Sequence, residues 1–336
     1  LNGYYLSAAV LSAGITALLG LWIIPILRRL KFGQTILDIG PSWHKSKEGT
    51  PTMGGLMFIP GIVLAAGTVF ISVLMQKPEL SQGVHKLANA RFTAGLAAAL
   101  GFSLIGFWDD YMKIVKKQNL GLTAKQKLVY QFLIAAGFLW ALATAGDLST
   151  SFYIPFFGLW RAGVLYYPLS LLGIVFVVNS VNLTDGIDGL ASNVTVACSL
   201  GFFVVAVLLN LPQIAILAAA TAGGCLGFLV YNVFPAKVFM GDTGSMFLGG
   251  CVVAMAFGVG LPLLLALTGI VYLCESLSVV LQVISFKTTK KRIFRMSPIH
   301  HHFEMGGMPE TQIVTIFTVV ALAGSAAGVL AVIFMR

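Results

Sequence analysis

Three short acidic turns carry much of the chemical potential of this chain. Asp109-Asp110 follows Trp108 at the expected end of an apolar run. Asp185-Gly186-Ile187-Asp188-Gly189 joins two apolar runs by a very short connection, and Gly241-Asp242-Thr243-Gly244-Ser245 precedes another. A helix C-terminus disfavours two adjacent carboxylates, so Asp109-Asp110 needs a cation or lysines such as Lys113, Lys116 and Lys117. A solvated pair neutralised by those lysines is the plainer alternative. Asp185 and Asp188 fall on one side if their segment enters a helix, and the glycines admit close backbone approach to a ligand. The plainer alternative is helix N-capping, which also fits Thr243, Ser245 or Asp242. Asp-Thr-Gly alone does not indicate an aspartic protease, which needs two such aspartates on a β scaffold. Magnesium is held by one or two carboxylates plus substrate phosphates. Three acidic turns facing one compartment therefore favour magnesium-assisted phosphoryl chemistry on a diphosphate. Lys47 and Lys125 could hold phosphate oxygens.

His300, His301 and His302 are consecutive, so their side chains diverge and do not suit one metal ion. Imidazoles there could contact phosphate or sugar hydroxyls, or form a surface run. Glu275 is a carboxylate deep in an apolar run, which marks either a functional residue or a partner for a neighbouring helix. Gln282 lies two turns further on.

The elements that position these groups are membrane helices. Of 336 residues, 58% are hydrophobic and only 10% charged; soluble domains carry about 25%. About 20 apolar residues cross a bilayer core. The chain has ten such runs, at 6–27, 53–75, 92–108, 128–146, 166–183, 190–209, 214–233, 246–260, 261–286 and 313–334. The expected fold is all-α, a polytopic integral membrane protein with ten transmembrane helices. Lys and Arg crowd the odd-numbered loops, among them Arg28, Arg29, Lys45, Lys47, Lys113, Lys125, Lys237, Lys287 and Arg295. The positive-inside rule puts those loops in the cytoplasm and both termini outside. The net charge of +9 thus marks cytoplasmic loops and does not call for nucleic acid. The first run is too long for a signal peptide and should stay as a helix. Cys198, Cys225, Cys251 and Cys274 all lie in apolar runs and read as small core hydrophobes. Residues 152–167 are aromatic-rich, with Pro155 and Gly158, and suit a short hairpin at the membrane interface. No repeat or linker divides the chain, so 1–336 reads as one catalytic domain. Its active site draws on loops 28–52, 109–127, 182–189, 232–245 and 285–310.

Taken in order, five segments resemble a known family. They are Lys47-Glu48-Gly49-Thr50-Pro51-Thr52-Met53-Gly54-Gly55, Asp109-Asp110, Asn182-Leu183-Thr184-Asp185-Gly186-Ile187-Asp188-Gly189, Asn232 with Phe239–Ser245, and Pro298-Ile299-His300-His301-His302-Phe303-Glu304. Together they resemble the phospho-N-acetylmuramoyl-pentapeptide transferases (translocase I) of bacterial cell-wall synthesis. These belong to the superfamily that transfers N-acetylhexosamine-1-phosphate to polyprenyl phosphate. The resemblance covers nearly the whole chain. It implies a magnesium-dependent reaction of UDP-N-acetylmuramoyl-pentapeptide with undecaprenyl phosphate, giving lipid I and UMP. It implies the bacterial inner membrane, with the site facing the cytoplasm. Asp242 is then the metal ligand. Asp109 deprotonates or positions the lipid phosphate, with Asp110 beside it. Asp185 and Asp188 belong to the nucleotide pocket, where Phe239 stacks on uracil near Lys47, Asn232 and Gly186. Thr52, Asn182 and Gln282 line the sugar and diphosphate path, Lys125 holds a phosphate, and His300, His301 and His302 cover the pyrophosphate. A homodimer is left open. A sibling using another UDP-sugar is the nearest alternative. A carrier, with binding groups at the membrane midplane, fits less well because the charges cluster at one face.

Overall fold

The computed structural model describes residues 2–30, 47, 49–115 and 121–335. Parts of the expected loops 28–52 and 109–127, including Asp38, Lys45, Glu48, Lys116 and Lys117, lie outside the described residues. The helices are α1 (Asn2–Arg29), α2 (Gly55–Gln76), α3 (Val84–Val115), α4 (Ala124–Thr144), α5 (Tyr166–Thr184), α6 (Leu190–Leu208), α7 (Pro212–Asn232) and α8 (Gly241–Gly258). They continue with α9 (Leu265–Thr268), α10 (Ile270–Thr289), α11 (Ile299–Glu304) and α12 (Glu310–Met335). Among the described residues, nine helices are long and apolar enough to cross a membrane. Helix formation follows from the solvent: in lipid, each backbone N–H and C=O needs a partner within its own segment.

The centre of the bundle is recognisable by burial. Of α7's most apolar window, 83% is buried, against 28% for α1, α4 and α10. Leu6, Trp22, Leu104, Leu133 and Trp140 point outward from peripheral helices, as lipid-facing residues do. Helix α8 carries Asp242 in its first turn, and every residue from Thr243 to Gly258 is buried. Other helices therefore enclose it. Its main neighbour is α3, and the seam between them is built from small residues. A Cβ on Gly95 would sit 2.6 Å from Ala254 Cβ, and one on Gly250 would sit 2.5 Å from Ala99 Cα. Such close backbone approach is how membrane helices gain packing when no hydrophobic drive separates them from lipid.

Two elements differ from expectation. Helix α3 does not stop at Trp108; it runs on to Val115, so Asp109 and Asp110 lie inside its final turns. The expected ninth run, 261–286, is split by Gly269 into α9 and α10. The hairpin expected at 152–167 is present among the described residues, as antiparallel β1 (Ser151–Ile154) and β2 (Gly158–Arg161). The aromatic content of 152–167 explains its packing, since Phe152 stacks on Tyr166 at 4.6 Å and on Trp160 at 5.9 Å.

Candidate active site

The ends of α3, α5 and α7 meet the starts of α4, α6, α8 and α12 at one side of the bundle, because successive helices alternate in direction. Asp109, Asp110 and Asp242 converge there. One ligand oxygen from each lies within 4.8 Å of the others. Asp110 serves the start of α8: its carboxylate accepts from Thr243 N at 2.9 Å, Thr243 Oγ1 at 2.7 Å and Asp242 N at 3.2 Å. A negative charge on a helix N-terminus is favourable. Asp109 Oδ1 accepts from Leu122 N at 2.8 Å, which ties α3 to the segment before α4. Asp242 accepts from Lys127 Nζ at 2.7 Å, Lys113 Nζ at 3.0 Å and Asn182 Nδ2 at 2.8 Å. Lys113 also pairs with Asp109 at 2.6 Å. Burial would push the Asp242 carboxyl up, but hydrogen bonding with Asp109 and the charges of Lys127 and Lys113 hold it well below the usual range.

This donor set fits a hard divalent cation. All three ligands offer carboxylate oxygens, the type that magnesium takes along with substrate phosphates. Two lysines balance part of the charge.

Close packing fixes the centre. A Cβ on Gly106 would lie 2.1 Å from the Asp242 carbonyl oxygen. Gly106→Ala is therefore expected to displace the first turn of α8. The predicted cost is about 1–3 kcal/mol from overpacking. It should show as a lower thermal unfolding midpoint in detergent, with weaker metal-dependent stabilisation.

The second cluster joins remote parts of the chain. Lys47 Nζ donates to Asp188 Oδ1 and Glu310 Oε2, each at 2.7 Å. Asp188 Oδ2 accepts from Ala236 N at 2.9 Å. Asn232 is buried and fully engaged: Oδ1 accepts from Gly189 N, and Nδ2 donates to Val238 O. The segment before α2 pairs with the one before α8, since Phe239 N donates to Pro51 O and Gly54 N to Phe239 O, both at 2.8 Å. Gly241, at φ +70°, leaves no room for a side chain between Asp110 Oδ2 and Thr52 Oγ1. Thr52 thus stands beside the carboxylates. Phe239 is half-buried.

Asp185 ends α5. Burial, then the charges of Asp242, Asp110 and Asp188, push its carboxyl up to about 8. The sign follows directly. A carboxyl with a folded value above its unfolded one binds its proton more tightly when folded, so it costs stability as pH rises from about 4 to about 8. In metal-free protein, Asp185→Asn is expected to raise the unfolding midpoint at pH 8 by about 2–4 °C and leave it unchanged near pH 4. A scan of midpoint against pH checks this.

The other expected site residues are placed as follows. Asn182 donates to Asp242 and to Ser245 Oγ at 2.7 Å. Gly186 lies against His300, where a Cβ would sit 2.1 Å from Nε2. The three histidines diverge. His300 approaches Glu275, His301 pairs with Glu304 at 2.8 Å, and His302 Nδ1 accepts from Arg295 N. Gln282 binds the loop that follows α10: its Oε1 accepts from Ile293 N and Phe294 N, and its Nε2 donates to Phe294 O. Lys125 is exposed at the start of α4, and Lys127, two residues on, reaches the acidic centre instead. The sequence reading did not single out Lys127 or Glu310 as site residues. The capping box of Thr123 and Gln126 marks where α4 starts, and that box is visible in the sequence.

The fold and the site define an integral membrane protein with a carboxylate-rich centre suited to phosphate chemistry. Glycosyl transferase family 4 matches residues 92–260. The phospho-N-acetylmuramoyl-pentapeptide-transferase signature 1 matches residues 47–59. The chain is 47% identical over 324 residues to a phospho-N-acetylmuramoyl-pentapeptide-transferase of Heliobacterium modesticaldum, covering 96% of each. It is 43% identical over 336 residues to one of Desulfitobacterium hafniense, again covering 96% of each. It is 46% identical over 314 residues to one of Halalkalibacterium halodurans, covering 93% of each. The chain belongs to the phospho-N-acetylmuramoyl-pentapeptide-transferase family.

Proposed function

We propose that this chain moves phospho-N-acetylmuramoyl-pentapeptide from its UDP carrier to undecaprenyl phosphate, yielding lipid I and UMP for peptidoglycan synthesis. The observation that carries the reading is the meeting of Asp109, Asp110 and Asp242 with Lys113 and Lys127 at one end of a membrane bundle. One substrate is a soluble nucleotide and the other is a lipid, and only a site at the membrane surface receives both.

In this reading, an oxygen of the lipid phosphate attacks the phosphorus that carries the sugar. The bond from that phosphorus to the bridging oxygen breaks, and UMP leaves with the electron pair. Asp242, with Asp109 and Asp110, would hold magnesium, which neutralises charge on the diphosphate when bound. Lys113 and Lys127 supply positive charge beside the same oxygens. Asp109 is held by Leu122 N and Lys113, which suits positioning of the lipid phosphate better than nucleophilic attack. Direct transfer is favoured for that reason, and a phosphosugar trapped on Asp109 would refute it. Asp185, Asp188, Phe239 and the Gly186 backbone form the nucleotide side, and Thr52 and Asn182 face the diphosphate. Lys47 and Asn232 hold that side in shape.

The whole chain acts as one catalytic unit of ten spans in the bacterial cytoplasmic membrane, with the site inside and both termini outside. The support is charge: Lys47, Lys113, Lys127, Lys237 and Lys287 lie at the site's end of the bundle. A reporter fused after Arg336 should be active only outside. The reaction is tested with purified protein, undecaprenyl phosphate and a choice of UDP-sugars. Magnesium-dependent UMP release from the muramoyl-pentapeptide nucleotide is expected. Use of UDP-N-acetylglucosamine alone would sink the substrate assignment.

A further inference from the structure

Glu275 lies within α10 and its side chain is fully buried, as is that of His300 on α11. The two meet with His300 Nδ1 3.0 Å from Glu275 Oε1. None of the four ring-nitrogen and carboxylate-oxygen atoms has another hydrogen-bond partner among the described residues. An ionised carboxylate only accepts, so an ionised Glu275 pairs with His300 carrying its proton on Nδ1. The approach is close but off the line of a well-formed hydrogen bond, which is common in ligand-free sites and tightens in the complex. The other ring nitrogen, Nε2, is buried, unpartnered and pressed over Gly186, beside the Asp185 turn. Ser276 Oγ, next to Glu275, donates to Ser180 Oγ at 2.6 Å. That bond locks α10 to α5, the helix that ends in Asp185. The carboxylate is therefore fixed to the frame that carries the acidic turn.

We propose that Glu275 is a positioning residue for the transfer. It holds His300 in the Nδ1–H form and balances the ring's charge when Nε2 also carries a proton, so that Nε2–H donates to an oxygen of the nucleotide diphosphate across Gly186. A buried carboxylate with no cation is costly, and a lone buried imidazolium is too; pairing offsets part of both costs, and removing one partner restores them. The same logic governs carboxylates that stand behind imidazole ligands and fix their tautomer. The inference rests on His300 facing the diphosphate, as the proposed reaction requires.

The test is a double-mutant cycle on the full chain in detergent, with UMP release as the assay. Glu275→Gln keeps the shape and an acceptor for Nδ1–H but removes the charge. It is expected to lower kcat by about 10–100-fold and to change KM for the nucleotide sugar by less than about threefold. His300→Gln should lower kcat at least as much. In that background, Glu275→Gln should cost nothing more. Losses that multiply, or a wild-type kcat in Glu275→Gln, would overturn the role given to Glu275. An unaffected His300→Gln would overturn the placement of His300 itself. Nitrogen-15 spectra of histidine-labelled wild-type protein give a check that needs no folded Glu275 variant. The His300 signal, identified by its absence in His300→Gln, should report a protonated Nδ1. A neutral ring protonated on Nε2 alone would refute the proposal.

Discussion

Asp242→Asn is expected to lower magnesium-dependent UMP release by about 10³-fold or more, the usual scale for losing a charge-stabilising group at a phosphoryl centre. The variant should still fold. Asp110, not Asp242, caps the start of α8 through Thr243 N and Thr243 Oγ1. Asparagine keeps an oxygen for the Asn182 contact but leaves Lys113 and Lys127 facing a neutral group. Thermal unfolding without metal should move to lower temperature, because a carboxyl held below its usual range lends stability to the folded state, and stabilisation by magnesium should disappear. Turnover within tenfold of wild type would remove Asp242 from the metal site.

Lys47→Met is expected to be the most damaging single change to the nucleotide side. Lys47 is 15% exposed, and its partners Asp188 and Glu310 are 2% and 8% exposed. Methionine fills similar space but leaves two carboxylates buried together without a cation. Removing one member of a buried ionic cluster typically costs about 3–5 kcal/mol. The unfolding midpoint should fall accordingly, and UMP affinity should drop with it. Adding Asp188→Asn and Glu310→Gln to Lys47→Met should recover much of the stability, because neither charge then remains unpaired. Affinity should stay low, because the segment before α2 loses its tie to α12. A Lys47→Met protein as stable as wild type would show that the cluster is not an essential brace.

Sequence reasoning located the acidic turns because short Gly-Asp segments between apolar runs leave the carboxylates few places to go. It also marked the triple histidine as unsuited to one metal, and the three rings do point to different partners. It failed where the answer depended on helix phase or on distance along the chain. Lys125 and Lys127 look alike in the sequence. Which one turns toward Asp242 depends on how α4 packs in the bundle, where Lys127 pairs with Asp242 and Lys125 is exposed. Glu310 lies 263 residues from Lys47, and no local pattern announces that pairing. The end of α3 was misjudged because Asp109-Asp110 looks like a stop in a hydropathy profile. In the folded chain, Thr243, Leu122 and Lys113 partner those carboxylates, and the helix continues. The ligand contacts expected of Gln282 and Asn232 come from the family resemblance and stand as proposals. In the structure, most of their hydrogen-bonding capacity is spent on joining loops.

The glycine and alanine seam between α3 and α8 has an evolutionary consequence. Asp109 and Asp110 ride on one of these helices and Asp242 on the other, and at Gly95, Gly250 and Gly106 there is no slack for a larger side chain. The two helices must drift as a pair. A substitution that shifts one moves all three carboxylates out of register, so escape from an inhibitor seated on this centre is expected to arise elsewhere. The open ground is the exposed loop after α10, at 290–293, where side chains can be exchanged without touching the charge geometry.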